Sequence, residues 1–86
     1  MELLEKIKQL PLGYSEVMYK DKKYGVTRAD FNTGNSIKIY AEELGGKDFI
    51  SLNYYITSTS ESLKPCEMSK EKVIHFIKNI KLLFAH

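Results

Sequence analysis

The chain has 86 residues, of which 43% are hydrophobic and 28% are charged, and its formal net charge at pH 7 is +2. These values are typical of one small soluble domain over residues 1–86, too short to hold two cores. A charge this small does not by itself predict a nucleic-acid partner, and no apolar run is long enough to predict a membrane span. A single cysteine, Cys66, excludes an internal disulfide framework, so a cytoplasmic location is expected.

The first predicted element is a short amphipathic helix that ends near Leu10. Four apolar residues recur at helical spacing, and the charged residues among them distinguish the segment from a signal peptide. The four are Leu3, Leu4, Ile7 and Leu10. The helix is expected to stop there because Pro11 disfavours helical geometry in the residue before it.

Two strands are predicted next, over residues 14–20 and 24–31. Alternation places Val17 and Tyr19 on one face of the first strand. In the second strand, Arg28 falls on the same parity as the apolar Val26, so a β-bulge or a sheet edge is expected there. The polar segment 20–23 joins these strands, and residues 32–35 form a turn.

Residues 36–44 and 49–57 form the central hairpin of the predicted sheet. Gly45 and Gly46 lie between them and can supply the positive φ angles of a tight connection. The period of two predicts an apolar face that another layer must cover. It comprises Ile37, Ile39, Ala41, Ile50, Leu52, Tyr54 and Ile56. The opposite, outer face comprises Lys38, Tyr40, Glu42, Phe49, Ser51, Asn53 and Tyr55.

The last part of the chain is predicted to form a loop, an extended segment and a helix. Residues 58–62 are rich in Ser and Thr, and Pro65 favours extended geometry over residues 63–66. Ser69 is the predicted N-cap of a helix that runs from about residue 70 to about residue 83. Its apolar stripe comprises Val73, Ile77, Ile80 and Phe84. Phe76 and Leu82 lie outside that stripe, which predicts a second contact surface and a homodimer; the alternative is that they are scattered surface apolar residues.

The predicted fold class is therefore α+β, in two layers. A four-stranded antiparallel meander is flanked by an N-terminal and a C-terminal helix, whose apolar stripes cover the apolar face of the sheet.

The sequence lacks the residues that most kinds of catalytic site require. Gly45-Gly46-Lys47 has neither the spacing nor the context of a phosphate-binding loop. Two histidines and one cysteine do not predict a metal site, and no cofactor is expected. Cys66 is the one candidate nucleophile, because it lies three residues before Ser69 and a helix N-terminus lowers the pKa of a nearby thiol. The alternative is an ordinary half-buried cysteine. It is favoured because His75 lies two turns along the helix and is not expected to contact Cys66.

The outer face of the hairpin is the candidate binding surface. Its proposed ligand-binding residues are Lys38, Tyr40, Phe49, Asn53 and Tyr55. Aromatic side chains with basic neighbours on an exposed sheet are typical of surfaces that bind single-stranded nucleic acid. The alternative interpretation is cross-strand aromatic pairing on a solvated face, and Glu42 lies among these residues.

Three segments carry a resemblance that spans nearly the whole chain. They are Ala41-Glu42-Glu43-Leu44-Gly45-Gly46, Asp48-Phe49-Ile50-Ser51 with Asn53-Tyr54-Tyr55, and Leu63-Lys64-Pro65-Cys66-Glu67-Met68. In these the chain resembles a family of short, uncharacterised bacterial proteins, some of which carry the label peptide methionine sulfoxide reductase. The A-type enzyme has a Gly-Cys-Phe-Trp motif, whereas this chain has no tryptophan. The resemblance therefore implies Cys66 as a catalytic residue and no other.

A second resemblance is one of pattern. A strand meander followed by one amphipathic helix is similar to the single-stranded-DNA-binding transcriptional coactivators, which are dimers built through the helix. The N-terminal helix departs from that plan, and a shared fold does not establish a shared function.

Two functions follow as hypotheses. The first is a non-enzymatic, homodimeric binding module whose ligand is single-stranded nucleic acid or another protein. The second is a thiol-dependent oxidoreductase of methionine sulfoxide reductase type that uses Cys66 and requires an external thiol.

Overall fold

A six-stranded antiparallel sheet and two helices form the part of the chain that the computed structural model describes, residues 2–85. The elements are α1 (Glu2–Lys8), β1 (Gly13–Tyr19), β2 (Lys22–Phe31), β3 (Ser36–Glu43), β4 (Phe49–Ile56), β5 (Glu61–Pro65), α2 (Lys70–Asn79) and β6 (Lys81–Ala85). The lateral order of the strands is β5-β4-β3-β2-β1-β6. The α+β class is confirmed, whereas the predicted count of four strands is wrong because β5 and β6 extend the meander at its two edges.

Both helices contribute to one core on one face of the sheet. The buried side chains of α1, α2 and the turn after α1 are Ile7, Leu10, Val73, Phe76 and Ile77. They pack with inward-facing strand residues, which include the predicted set Ile37, Ile39, Ala41, Ile50, Leu52 and Tyr54. Ile56 is partly buried against this core. Burial of each large apolar side chain contributes roughly 1.5–3 kcal/mol, so this layer contact is the main source of stability.

Helix α2 ends at Asn79, four residues before the predicted end near residue 83. Ile80 has an extended backbone, and residues 81–85 pair with β1 instead of continuing the helix. The free edge of β1 offers backbone hydrogen-bond partners to residues 81–85. The stability gained from these hydrogen bonds exceeds the small helix propensity of this short segment. The predicted stripe therefore breaks after Ile80, and Phe84 lies opposite Glu16 in the sheet.

The predicted second contact surface on the last helix is wrong. Phe76 is fully buried, with its ring 4.9 Å from the ring of Tyr19 and 5.3 Å from that of Tyr24. Leu82 belongs to β6 and not to the helix. The two residues therefore do not share a surface.

Strand β5 begins at Glu61, within the predicted loop 58–62, and confirms the predicted extended geometry over residues 63–65. It pairs with β4, and its Pro65 is compatible with an edge strand because an edge can lack an N–H donor. Tyr54 donates a hydrogen bond of 2.6 Å to Glu61. Burial and this carboxylate raise the pKa of Tyr54 to about 12. The contact links the phenol of β4 to the start of β5.

Arg28 lies on the helix side of the sheet, as its alternation with Val26 indicated. The β-bulge expected at this position is absent from β2. The pairing of β2 with both of its neighbours runs through Arg28 without a register shift. Its guanidinium donates to both carboxylate oxygens of Asp30, at 3.0 and 2.9 Å, and to the carbonyl oxygen of Leu10 at 2.6 Å. Because these contacts pair the charge, the side chain can be about 90% buried, with 10% exposed.

Candidate binding surface

The face of the sheet that points away from α1 and α2 is covered by no other element of residues 2–85, and we name it the open face. Its side chains alternate with the core residues along each strand. Its aromatic and charged members on β1 to β5 are Tyr14, Glu16, Lys23, Phe31, Lys38, Tyr40, Glu42, Phe49, Tyr55 and Lys64. The open face therefore combines exposed rings with charges of both signs.

The register of the strands arranges two lysines in one row across the open face. Lys38 lies opposite Asn53, and Asn53 lies opposite Lys64. We name these three residues the lysine row. Tyr40, on β3, lies one row to one side of it, and Tyr55, on β4, lies one row to the other side. The two tyrosines are 42% and 40% exposed, so the lysine row runs between two accessible rings.

All five predicted ligand-binding residues lie on the open face of β3 and β4. The rings of Tyr40 and Phe49 stack with their centroids 6.3 Å apart and their planes at 30°. Lys38 and Asn53 are direct cross-strand partners, and Tyr55 lies opposite Ser36. The outer face predicted by alternation is therefore assembled, and it also contains the aromatic pair that the alternative interpretation expected.

Acidic residues gather on the row beyond Tyr40, at the far side from the lysines. Glu42 lies opposite Phe49 on one side and Gly25 on the other, and Gly25 lies opposite Glu16. A Cβ atom at Gly25 would come within 2.7 Å of the Tyr14 hydroxyl, so a larger residue there would displace the Tyr14 ring. That hydroxyl donates to Glu16 at 3.1 Å, and desolvation together with this carboxylate raises the pKa of Tyr14. Glu16 and Glu42 thus form an acidic row on the open face between the row of Tyr40 and Lys23, which lies one row further on.

The predicted ligand-binding residues did not include two aromatic residues and one lysine of this surface. Tyr14 and Phe31 are on β1 and β2, and their parity opposite to the core residues could have indicated them. Lys64 completes the lysine row from β5. The position of Lys64 depends on the pairing of β4 with β5. That pairing was not predicted, because residues 58–66 were interpreted as a loop followed by extended chain.

Cys66 also lies beside the open face. Its backbone N–H donates to the carbonyl oxygen of Ser51 at 2.9 Å, and the Asn53 amide donates to its sulfur at 3.6 Å. His75 is on the helix side of the sheet, where it shares a 2.6 Å hydrogen bond with the Tyr19 hydroxyl. The Cys66 thiol and the His75 imidazole therefore lie on opposite faces of the sheet. They are not in contact, as expected.

A second polar cluster lies at the N-terminal end of α2, on the helix side. Asp48 accepts hydrogen bonds from the Lys72 ammonium at 2.7 Å and from the Tyr24 hydroxyl at 2.8 Å. The contact with Lys72 lowers the pKa of Asp48, and burial raises the pKa of Tyr24. Lys22 and Glu43 form a further ion pair at 3.6 Å beside it. Since these charges are paired with one another, the cluster acts as a link between α2 and the sheet.

Other kinds of site find no support among the described residues. No three His, Cys, Asp or Glu side chains in residues 2–85 are placed to hold a metal ion. Neither α1 nor α2 is long and apolar enough to cross a membrane. Comparison with models of known protein families, with curated proteins and with solved structures finds no match to this chain.

Proposed function

We propose that this protein is a non-enzymatic binding module whose open face holds a short stretch of single-stranded nucleic acid. The observation that carries the proposal is the lysine row between Tyr40 and Tyr55. Such a surface meets both needs of a single strand, because lysines attract phosphates while aromatic rings stack with bases of any sequence.

The spacing of the rings suits an extended ligand. Tyr40 lies opposite Ser51, and Tyr55 is four residues further along β4. At about 3.3 Å per residue, the two rings are roughly 13 Å apart along the strand direction. Lys38 and Asn53 lie between them, so a strand that stacks on both tyrosines would pass over the lysine row.

The charge distribution indicates which part of the open face a polyanion would occupy. Lys38 and Lys64 supply the positive charge near the two tyrosines, whereas Glu16 and Glu42 lie on the far side of Tyr40. A polyanion is therefore expected to lie over the lysine row and to avoid the row of Glu16 and Glu42. A protein ligand is the other class that this surface could hold, and it would lack the strong salt dependence of a phosphate backbone.

The test is fluorescence anisotropy with a labelled, mixed-sequence single-stranded oligonucleotide at several salt concentrations. Lys38→Ala and Lys64→Ala are each expected to weaken binding and to reduce the slope of log K against log salt by about 0.7. Tyr40→Ala is expected to weaken binding by about 1–3 kcal/mol, through loss of base stacking.

Lys78→Ala is the matched control, because Lys78 is an exposed lysine on α2 and lies on the other side of the sheet. It should leave affinity and salt slope nearly unchanged. Wild-type protein that shows no salt-sensitive binding contradicts the nucleic-acid proposal and leaves a protein ligand as the class to examine. Equal losses for Lys78→Ala and Lys38→Ala would show that binding is not directed by the open face.

The second candidate function is a thiol-dependent methionine sulfoxide reductase that uses Cys66. It is supported by the half-buried thiol beside the open face and by the Asn53 amide that donates to its sulfur. In this reaction the thiolate would attack the sulfoxide sulfur and become a sulfenic acid as methionine leaves. Two equivalents of external thiol would then restore Cys66 and release a disulfide and water.

The enzymatic alternative predicts turnover of a methionine sulfoxide peptide in the presence of dithiothreitol, and its loss in Cys66→Ser. Absence of turnover by the wild-type protein contradicts it, as does equal turnover by Cys66→Ser. Ser62→Ala, an exposed change on β5, controls for effects of substitution near this edge.

A further inference from the structure

We propose that two copies of this chain associate by pairing β6 with β6 of the second copy. Strand β6 is one edge of the sheet, since β1 is its neighbour on one side and no strand of residues 2–85 lies on the other. Backbone N–H and C=O groups along such an edge are a template for another strand. This interface is separate from the open face and does not rest on the proposed ligand.

The side chains of β6 are mostly apolar, and its pairing with β1 shifts register at Leu83. Leu82 and Leu83 are 51% and 45% exposed, and Lys81 is the one charged residue of the strand. Proteins normally protect an exposed edge with charged residues, proline, a β-bulge or a covering element. Of these, β6 has Lys81 and the register shift at Leu83, but no proline, and no other element of residues 2–85 pairs with its outer edge. A strand with two exposed leucines in its middle is expected to be covered by a partner in solution.

The other edge of the same sheet shows the protected pattern. Strand β5 carries Glu61, Lys64 and Pro65 within five residues. Each copy therefore presents one edge that favours pairing and one that resists it. This asymmetry selects a second copy as the occupant, because two identical β6 edges form an isologous interface that closes at the dimer. The two edges of the resulting twelve-stranded sheet would both be β5, so growth into fibres is prevented.

The charges and apolar residues of β6 are compatible with this arrangement. In an antiparallel pair centred anywhere within residues 82–84, the two copies of Lys81 are not directly opposite each other. In a pair centred on Leu83, the stretch from Leu82 to Phe84 of one copy lies against the same stretch of the other. A groove opens next to this edge on the helix side, and its lining comprises the apolar residues Leu10, Ile77, Ile80 and Leu82 and the polar residues Lys6 and Gln9. Leucines of the second copy would cover that groove and add apolar burial to the backbone pairing.

The experiment is light scattering during gel filtration of the full chain and three variants. Leu83→Lys places a charge in the middle of the edge. Leu44→Lys makes the same change at another exposed leucine, in the β3–β4 turn. Tyr40→Glu changes the open face, and so separates pairing of edges from stacking of two open faces.

The wild-type protein, Leu44→Lys and Tyr40→Glu are expected to show twice the chain mass of 9.9 kDa, and Leu83→Lys a single chain mass. The dissociation constant of Leu83→Lys should be at least about 100-fold higher than that of the wild type. A wild-type protein that is monomeric at about 0.5 mM, or a dimeric Leu83→Lys, overturns the proposal. A monomeric Tyr40→Glu beside a dimeric Leu83→Lys assigns the interface to the open face instead.

Amide hydrogen exchange of the wild-type protein provides a second test that does not depend on the folding of Leu83→Lys. The β6 amides should lose protection when the protein is diluted below the dissociation constant, while β3 amides in the centre of the sheet keep theirs. Exchange in β6 that does not change on dilution overturns the proposal. Leu83→Lys should still bind oligonucleotide if the open face is the ligand site, so failure of one proposal is distinguishable from failure of the other.

Discussion

Asp48 is the residue where the polar contacts between α2 and the sheet converge. It lies just before β4, and it joins the Lys72 ammonium of α2 to the Tyr24 hydroxyl of β2. The hydrogen bond from Lys72 stabilises the charged form of the carboxylate and lowers the pKa of Asp48. Because its folded-state pKa lies below its unfolded value, Asp48 contributes stability above the unfolded pKa.

We predict that Asp48→Asn lowers the free energy of unfolding at pH 7 by about 1 kcal/mol, since the ion pair is partly exposed and the hydrogen bonds are charge-assisted. The wild-type advantage should shrink as pH falls from the unfolded pKa, near 4, through the lower folded pKa of Asp48. Urea unfolding between pH 7 and pH 2 measures this difference.

Asp21→Asn is the matched control, because Asp21 is exposed in the β1–β2 turn. Its difference from the wild type should not follow the same pH dependence. An acid profile of Asp48→Asn that runs parallel to that of the wild type would show that the Lys72 contact does not stabilise the fold.

At the scale of elements, Arg28 is the tether between α1 and the sheet. It donates to the carbonyl oxygen of Leu10, just after α1, while its ion pair with Asp30 holds the guanidinium in place. Helix α1 has seven residues, which is too short for a helix to be stable by itself in water. Its position therefore depends on apolar packing and on this tether.

We predict that Arg28→Met destabilises the protein by about 2–4 kcal/mol, because it leaves the Asp30 carboxylate and the Leu10 carbonyl without their donor. Lys23→Met, which removes an exposed cation from the same strand, should change stability by less than about 0.5 kcal/mol. Urea unfolding measures both. The double variant Arg28→Met with Asp30→Leu should recover part of the loss, since it removes the unpaired charge; a larger loss would contradict this account.

Alternation was sufficient to predict the longer strands but not the two edges. Strands β3 and β4 each have eight residues, enough for the period of two to identify both faces, including Lys38, Tyr40 and Tyr55. Strand β6 has five residues, and Leu82 and Leu83 are as compatible with a helix as with a strand. The free edge of β1 decides its structure, and that edge exists only once the sheet is assembled.

For the whole molecule, the two sides of the sheet have different roles. The helix side holds the core and the paired charges of Arg28, Asp48 and Lys72, whereas the open face holds exposed rings. The sequence could predict that one face needs a cover, because its apolar residues alternate. It could not predict the lysine row, because Lys64 joins Lys38 only through the pairing of β4 with β5.

The strand order also has a consequence for synthesis of the chain. Strands β1 to β5 follow one another in the sheet as they do in the sequence. The other neighbour of β1 is β6, whose residues are synthesised about 65 positions later. At 5–20 residues per second, the second edge of β1 stays uncovered for about 3–13 s of translation. During that interval the meander can already form, so the nascent chain exposes a strand edge that the finished protein conceals. A ribosome that pauses between β5 and β6 would prolong this exposure, and with it the time available for pairing with the wrong chain.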